Sequence, residues 1–356
     1  MDFTLTDDRR MLKDTLSRYL SDKYGMEHRN KVAYETPYHD PAKWAELAEL
    51  GALFALAPED KGGFGGQGFD ISVVFEELGR ALCPEPVLGS LMAARLLGAA
   101  GGDMEPLLSG EVIHAVAVDE LDAPYDPADM AATAEAKGDG HVLSGRKTAV
   151  YGGQAAQVFL VAAMLNGKPA LFEVQAGDAQ TVTYGMMDGG GAAELMLDAT
   201  PAKLLMADAG DALADAQNAG VLALCSEAVG LMEVTHAITV DYMKQRKQFG
   251  VPIGKFQVLQ HRAVDMLTEI EQARSMVIKL ASELDGPEAG RFAAMTKALI
   301  GEAARLVAEE AIQMHGGIAM TWEYPVSHYA KRLVMLDHQL GDTDHHLGRV
   351  IEGYAA

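Results

Sequence analysis

Between Asp208 and the C-terminus the chain runs with few helix breakers, interrupted chiefly at Gly250 to Gly254, at Gly286-Pro287 and at Gly316-Gly317. The segments left between them, 209–247, 255–285, 288–315 and 325–352, are rich in Ala, Leu and Met. Helices this long gain most of their stability by burying an apolar face against neighbours. Four in succession, joined by short turns, predict an antiparallel bundle. Most of the 19 methionines are expected there as core filler.

Upstream the texture changes twice. Residues 1–110 read as helical. Leu5-Thr6-Asp7-Asp8 opens a first helix with acids where the dipole favours them. Leu12, Leu16, Tyr19 and Leu20 follow at helical spacing. Trp44 to Leu56 continues the pattern up to Pro58, and Ile71 to Leu82 repeats it up to Pro84 and Pro86, before two Gly-Ala-rich turns around Leu88 to Gly102. Residues 111–206 read as short strands. Val112–Val118 is β-branched and alternating. Gly138-Asp139-Gly140 separates Ala134–Ala136 from His141–Leu143, and Asn166-Gly167 separates Val158–Ala162 from Ala170–Val174, two hairpin signals. Glu194–Leu197 offers another strand. The expectation is an α+β multidomain chain: a helical domain over 1–110, a small β-barrel or sandwich over 111–206, and a four-helix bundle over 207–356.

Charge narrows the function. With 29 Lys+Arg against 51 Asp+Glu the formal net charge is −22, which argues against a nucleic-acid surface. Cys83 and Cys225 are too few for a disulfide framework or a cysteine metal site and fit a reducing compartment. The acidic start, Met1 to Asp8, lacks the basic and apolar regions of a signal peptide, and no apolar run reaches the 18 or so residues of a membrane span. The expected setting is cytoplasmic, with no membrane insertion.

Gly63-Phe64-Gly65-Gly66-Gln67-Gly68 matches GxGxxG literally but follows a helical pattern rather than a buried strand, so a plain loop is expected. His345-His346 beside Asp342 and Asp344 resembles a metal cluster, yet adjacent histidines point apart on a helix; a structural role is expected. Lys244, Arg246, Lys247, Lys255 and Arg262 fall in a stretch with no acid. Such an island suits a polyphosphate ligand, and equally a solvated helix end. Gln313-Met314-His315-Gly316-Gly317 reads as a glycine C-cap or as a place where a ligand approaches the backbone closely.

Taken in order, several segments resemble the acyl-CoA dehydrogenase family: Leu50-Gly51, Pro58-Glu59, Gly62 to Gly65 and Glu76-Glu77-Leu78-Gly79-Arg80, then Arg246-Lys247-Gln248-Phe249-Gly250 with Phe256-Gln257, Gln313 to Gly317, and Glu323-Tyr324-Pro325-Val326. The resemblance covers essentially the whole chain. It implies the same helix–β–helix division, FAD as cofactor, an acyl-CoA substrate desaturated between Cα and Cβ, and an electron-transfer flavoprotein as electron acceptor. It also implies that Arg246 and Gln257 hold FAD pyrophosphate or ribose, Phe249 packs near the adenosine, and Gln313, Gly316 and Gly317 meet the adenine end. In the family these motifs reach a neighbouring subunit's FAD.

Other family positions are changed. Counting without a gap, the Tyr-Glu-Gly-Thr segment that carries the catalytic base corresponds to Gln339-Leu340-Gly341-Asp342, with Leu340 at the base position. The alternative base position falls near Val221, and Glu227 lies about 240° further round that helix. The flavin-binding loop is replaced near Asp119 to Pro124, and the segment that packs on the flavin ring reads Lys147 to Gly153, with Ala149 for Trp and Tyr151 for Thr. Motifs for a neighbour's cofactor are kept while this chain's own site is depleted. The resemblance therefore implies a subunit supplying an FAD half-site to a homologous large chain in a heterotetramer, similar to the small subunit of pimeloyl-CoA dehydrogenase, among dicarboxylate or steroid side-chain degraders. The alternatives are a self-sufficient homo-oligomer with Asp342 or Asp337 as a displaced base, and a scaffold subunit that binds no nucleotide.

Overall fold

The computed structural model describes residues 5–123 and 125–355. The first six helices are α1 (Asp7–Lys23), α2 (Met26–Tyr34), α3 (Pro41–Glu49), α4 (Gly68–Arg80), α5 (Val87–Ala100) and the single turn α6 (Glu105–Leu108). Thr6 caps α1 through its side-chain oxygen, and Asp40 caps α3 by accepting the Ala42 and Lys43 N–H groups. The GxGxxG match lies in the loop ahead of α4. There a Cβ at Gly63 would sit 2.0 Å from the Ala57 carbonyl oxygen, and one at Gly65 2.3 Å from that of Ala55. These glycines allow backbone packing in a loop that no strand precedes.

The strands are β1 (His114–Ala117), β2 (Thr133–Lys137), β3 (Gly140–Tyr151), β4 (Val158–Leu165), β5 (Lys168–Gln175), β6 (Gln180–Gly185) and β7 (Gly191–Met206). Pairing runs β4-β2-β3-β7-β5 and closes through β4–β5, with β1 parallel on β4 and β6 on β7. Closure removes the exposed edges an open sheet would carry. Leu143, Phe159, Val161, Phe172 and Leu195 fill the interior. Both expected hairpins form. Asn166 (φ 51°) and Gly167 (φ 81°) make the tight turn between β4 and β5.

The C-terminal helices are α7 (Gly210–Gln245), α8 (Gln257–Glu283), α9 (Ala289–His315), α10 (Val326–Asp337) and α11 (Thr343–Ala355), with the two-residue strands β8 (Lys247–Gln248) and β9 (Val251–Pro252) between α7 and α8. The segment expected as one helix over 325–352 is two, broken where Leu340 (φ 54°) and Gly341 (φ 98°) take left-handed conformations. Contrary to the expectation of no membrane-length apolar run, α7 is long and apolar enough over an 18-residue window, and most of that window is buried in the protein.

The chain divides into two compact units, one made of the residues up to Met26, Ile71–Cys83 and the chain from Val221, the other of Glu27–Asp70 and Pro84–Gly220. In the first, α4 crosses α7 at glycines: a Cβ at Gly79 would lie 2.3 Å from the Glu227 carbonyl oxygen, and one at Gly230 2.2 Å from that of Glu76. Around that crossing Glu76, Glu77 and Glu233 pair with Lys13, Arg80 and Arg274. Burial opposes the Glu76 charge, but Arg274 and Arg80 outweigh it and hold its carboxyl below the usual range. In the second unit, Arg95 clamps Asp215 with two bonds of 2.8 and 2.7 Å, and α5 packs on β1.

Candidate functional site

The basic island folds as a hairpin at the end of α7. The Ile253 N–H donates to the Arg246 carbonyl at 2.8 Å, Lys247 pairs with Pro252, and Gln248 pairs with Val251. Phe249 (φ 53°) and Gly250 (φ 82°) form the two-residue turn. A phenylalanine with positive φ is strained, and this one is 92% exposed, its ring meeting Phe256 edge to face at 6.1 Å. An aromatic held outward at such a cost fits a role in contacting something outside the chain. Arg246, Lys247 and Lys255 are exposed and have no ion-pair partner among the described residues, whereas Lys244 pairs with Asp241 and Arg262 with Glu310. Gln257 begins α8 beside them, exposed. Three uncompensated cations on a chain this acidic suit an anionic ligand.

Gln313 is exposed on the last turn of α9. The Gly316 N–H closes that helix on the Ile312 carbonyl with φ 68° and ψ −148°, a conformation open essentially to glycine alone. A Cβ at Gly316 or Gly317 would meet nothing within 4 Å, so this chain's own packing does not demand the bare backbone at Gly317. Just before the two glycines lies His315, buried, with its Nδ1 2.8 Å from the Ala311 carbonyl oxygen. The hairpin and this turn, with free cations and open backbone, could hold an anionic ligand that approaches the backbone closely.

The position counted as the catalytic base is filled differently. Leu340 is 8% exposed at the break between α10 and α11, and His346 Nε2–H donates to its carbonyl at 2.8 Å. Lys297 of α9 donates to the carbonyls of Asp337 (2.8 Å) and Gly341 (2.7 Å). One turn on, Gly301 leaves the room that Asp337 and Thr343 occupy. Asp337 accepts from the Thr343 amide (3.1 Å) and hydroxyl (2.8 Å), and Asp342 accepts from the His345 amide (2.8 Å). Both candidate displaced bases thus serve as caps of α11. Glu227 is held in a two-bond pair with Arg332 at 2.7 and 2.8 Å. Burial pushes the His346 imidazole down to about 4, so it is neutral, consistent with a structural role.

In the β unit, Lys147 is fully buried and donates to Glu120 Oε1 (2.6 Å) and the Val118 carbonyl (2.9 Å). Glu120 also accepts the Ala131 and Ala132 N–H groups. These donors overcome burial and hold its carboxyl below the usual range. Asp119 beside it is pushed up to about 7 by burial, against the pull of Lys147. Where the resemblance expects a flavin-binding hydroxyl loop there is a stapled turn with a buried carboxyl, and Ala149 (φ 48°) replaces the ring-packing Trp. Pro124 of this loop lies outside the described residues. These residues do not reproduce the flavin-ring site. Sequence reasoning placed Lys147 in the ring-packing segment but missed its buried bond to Glu120, and it missed Lys297 altogether. Lys297 had a signal: a lone cation in the apolar stretch Phe292 to Ile300.

Residues 6–103 match the N-terminal domain and residues 216–354 the C-terminal domain of acyl-CoA dehydrogenases. The acyl-CoA dehydrogenase IpdE2 of Mycolicibacterium smegmatis is 31% identical, over 92% of this chain and 93% of its own length. The chain belongs to the acyl-CoA dehydrogenase family. IpdE2 of Mycobacterium tuberculosis is likewise 31% identical over 92% of both chains. Among solved structures, a chain of the Tcur3481-Tcur3483 steroid acyl-CoA dehydrogenase variant superposes with a TM-score of 0.90 at 29% identity, covering 99% of this chain and 100% of that one. A chain of the Mycobacterium tuberculosis ChsE4-ChsE5 complex gives 0.91 at 25%, covering 100% and 99%. The helical N-terminal part, middle β-sheet region and C-terminal helices are the family's fold, and the family's members are oxidoreductases acting on CH–CH bonds.

Proposed function

We propose that the chain is the half-site subunit of a heteromeric FAD-dependent acyl-CoA dehydrogenase, completing the cofactor site of a homologous large chain that carries the base. The observation that carries this reading is the contrast within one unit: Arg246, Lys247 and Lys255 stand unpaired, while position 340 holds a buried leucine and its neighbouring aspartates are used as caps. Similarity to a chain of the Tcur3481-Tcur3483 enzyme and to a chain of the ChsE4-ChsE5 complex supports a partner chain.

Arg246 would grip the FAD pyrophosphate through its planar fork. Gln257 would bond pyrophosphate or ribose oxygens, Phe249 would pack against the adenosine, and the turn at Gln313, Gly316 and Gly317 would present backbone to the adenine. When bound, FAD supplies acceptance of the hydride leaving the acyl β-carbon. This chain's residues would hold and orient it, and the large chain would supply the base that takes the α-proton. Acyl-CoA is the substrate, an electron-transfer flavoprotein receives the electrons, and steroid side-chain or dicarboxylate degradation is the proposed setting, the steroid enzyme among the similar structures supporting the first. The test is Arg246→Ala in the chain assembled with its large partner: flavin content should fall while assembly persists. Unchanged flavin content would refute the role of Arg246.

A further inference from the structure

Two segments that carry the family resemblance in the C-terminal half meet the last turn of α7 in one aromatic cluster. Tyr242 lies one turn before Arg246 on α7, His315 lies in the Gln313–Gly317 segment, and Tyr324 lies in Glu323–Val326. The His315 ring stacks on Tyr242 with centroids 4.5 Å apart and planes at 30°, and it meets Tyr324 at 5.2 Å; the two tyrosines are 6.1 Å apart, edge to face. The Tyr242 carbonyl accepts the Arg246 N–H at 2.8 Å, so the stack bears directly on the root of the basic hairpin.

His315 donates Nδ1–H to Ala311, which leaves Nε2 as the bare nitrogen. Nε2 is buried without a partner. From α7 and from the segment before α10 the imidazole faces the phenol rings of Tyr242 and Tyr324, from its own helix the Ala311 carbonyl, and among the described residues no charged side chain. A proton on Nε2 would therefore place both a charge and an unsatisfied donor inside the cluster. Burial holds the imidazole pKa below its ordinary value, which agrees with that placement.

We propose that His315 is a positioning residue: its neutral imidazole, wedged between Tyr242 and Tyr324, sets the Gln313–Gly317 turn against the Arg246 hairpin. The proposal rests on reading those two segments as the nucleotide half-site.

Hydrogen exchange of the full chain tests it, following the amides of 246–253 and 313–317 at pH 7.5 and 5.5 with intrinsic rates corrected. His315→Ala should speed exchange in both segments by about tenfold, although 246–253 is distant in sequence. His315→Phe, which keeps the stack and cannot take a proton, should retain wild-type protection and abolish the loosening expected of the wild type at pH 5.5. Unchanged protection of 246–253 in His315→Ala, or the same pH response in wild type and His315→Phe, would overturn the proposal. Flavin content of the complex with the large partner separates this from the half-site reading. Flavin lost on Arg246→Ala with 246–253 indifferent to His315 would sink the positioning role alone. The expected exchange pattern with flavin content unchanged by Arg246→Ala would sink the half-site and keep the positioning role.

Discussion

Lys297 Nζ donates to the backbone carbonyl of Gly341 at 2.7 Å, and this bond seats the turn that puts Leu340 where the family resemblance expects a base. A second bond, to the Asp337 carbonyl at 2.8 Å, ties the other end of the same turn. The turn is thus a fixed part of the bundle rather than a loop awaiting a substrate. Lys297→Met should leave two carbonyls without their donor and cost about 2–4 kcal/mol. Urea denaturation checks this.

His346 gives the fold a pH dependence with a definite sign. Its folded value of about 4 lies below the ordinary 6.5, so the unfolded chain binds the extra proton between them. Stability is therefore intact above about 6.5 and falls as the pH drops toward 4, by up to ~3 kcal/mol from this group. Asp119 works oppositely, because its raised value, about 7 against 3.8, makes the folded state bind more protons and lose stability as pH rises through that window. His346→Gln, which can still donate to Leu340, should remove the acid-side slope and leave the Asp119 part. Denaturation at a series of pH values in both proteins shows whether it does.

Two glycines should respond in opposite ways. Gly230→Ala drives a methyl to 2.2 Å from the Glu76 carbonyl and should cost about 3 kcal/mol as α4 and α7 are forced apart. Gly317→Ala meets nothing and should change stability by less than about 0.5 kcal/mol, yet weaken flavin retention in the assembled complex. Melting and flavin release, measured together, distinguish a packing glycine from a binding one.

Arg246 is exposed and unpaired, so Arg246→Ala should leave the melting temperature unchanged while weakening FAD binding about tenfold to a hundredfold, the range for a charge-assisted pair. Arg246→Lys keeps the charge without the fork and should recover part of the loss. Fluorescence of released flavin reports both.

Much of the architecture was legible because it rests on periodicity and punctuation. The bundle helices show in the long stretches between Gly250, Gly286-Pro287 and Gly316, and the β4–β5 hairpin in Asn166-Gly167. The break at 338–342 was not, because nothing in Gln339-Leu340 announces a left-handed leucine; it is imposed by Lys297 and His346 from elsewhere in the chain. β6 and the full length of β3 and β7 were missed for a related reason: their half-exposed residues alternate weakly, and pairing rather than propensity makes them strands. At the site, the free cations and glycines could be read directly. The Tyr242–His315–Tyr324 cluster could not, since its members are scattered over more than eighty residues and only the bundle brings them together.

The most direct measurement is the FAD content of the purified chain, alone and co-expressed with a homologous large chain, from the visible spectrum of released flavin. Little or no FAD alone, rising to about one per pair with the partner, is the expected result. One FAD per chain in isolation, with acyl-CoA oxidised by that protein alone, would contradict the half-site role.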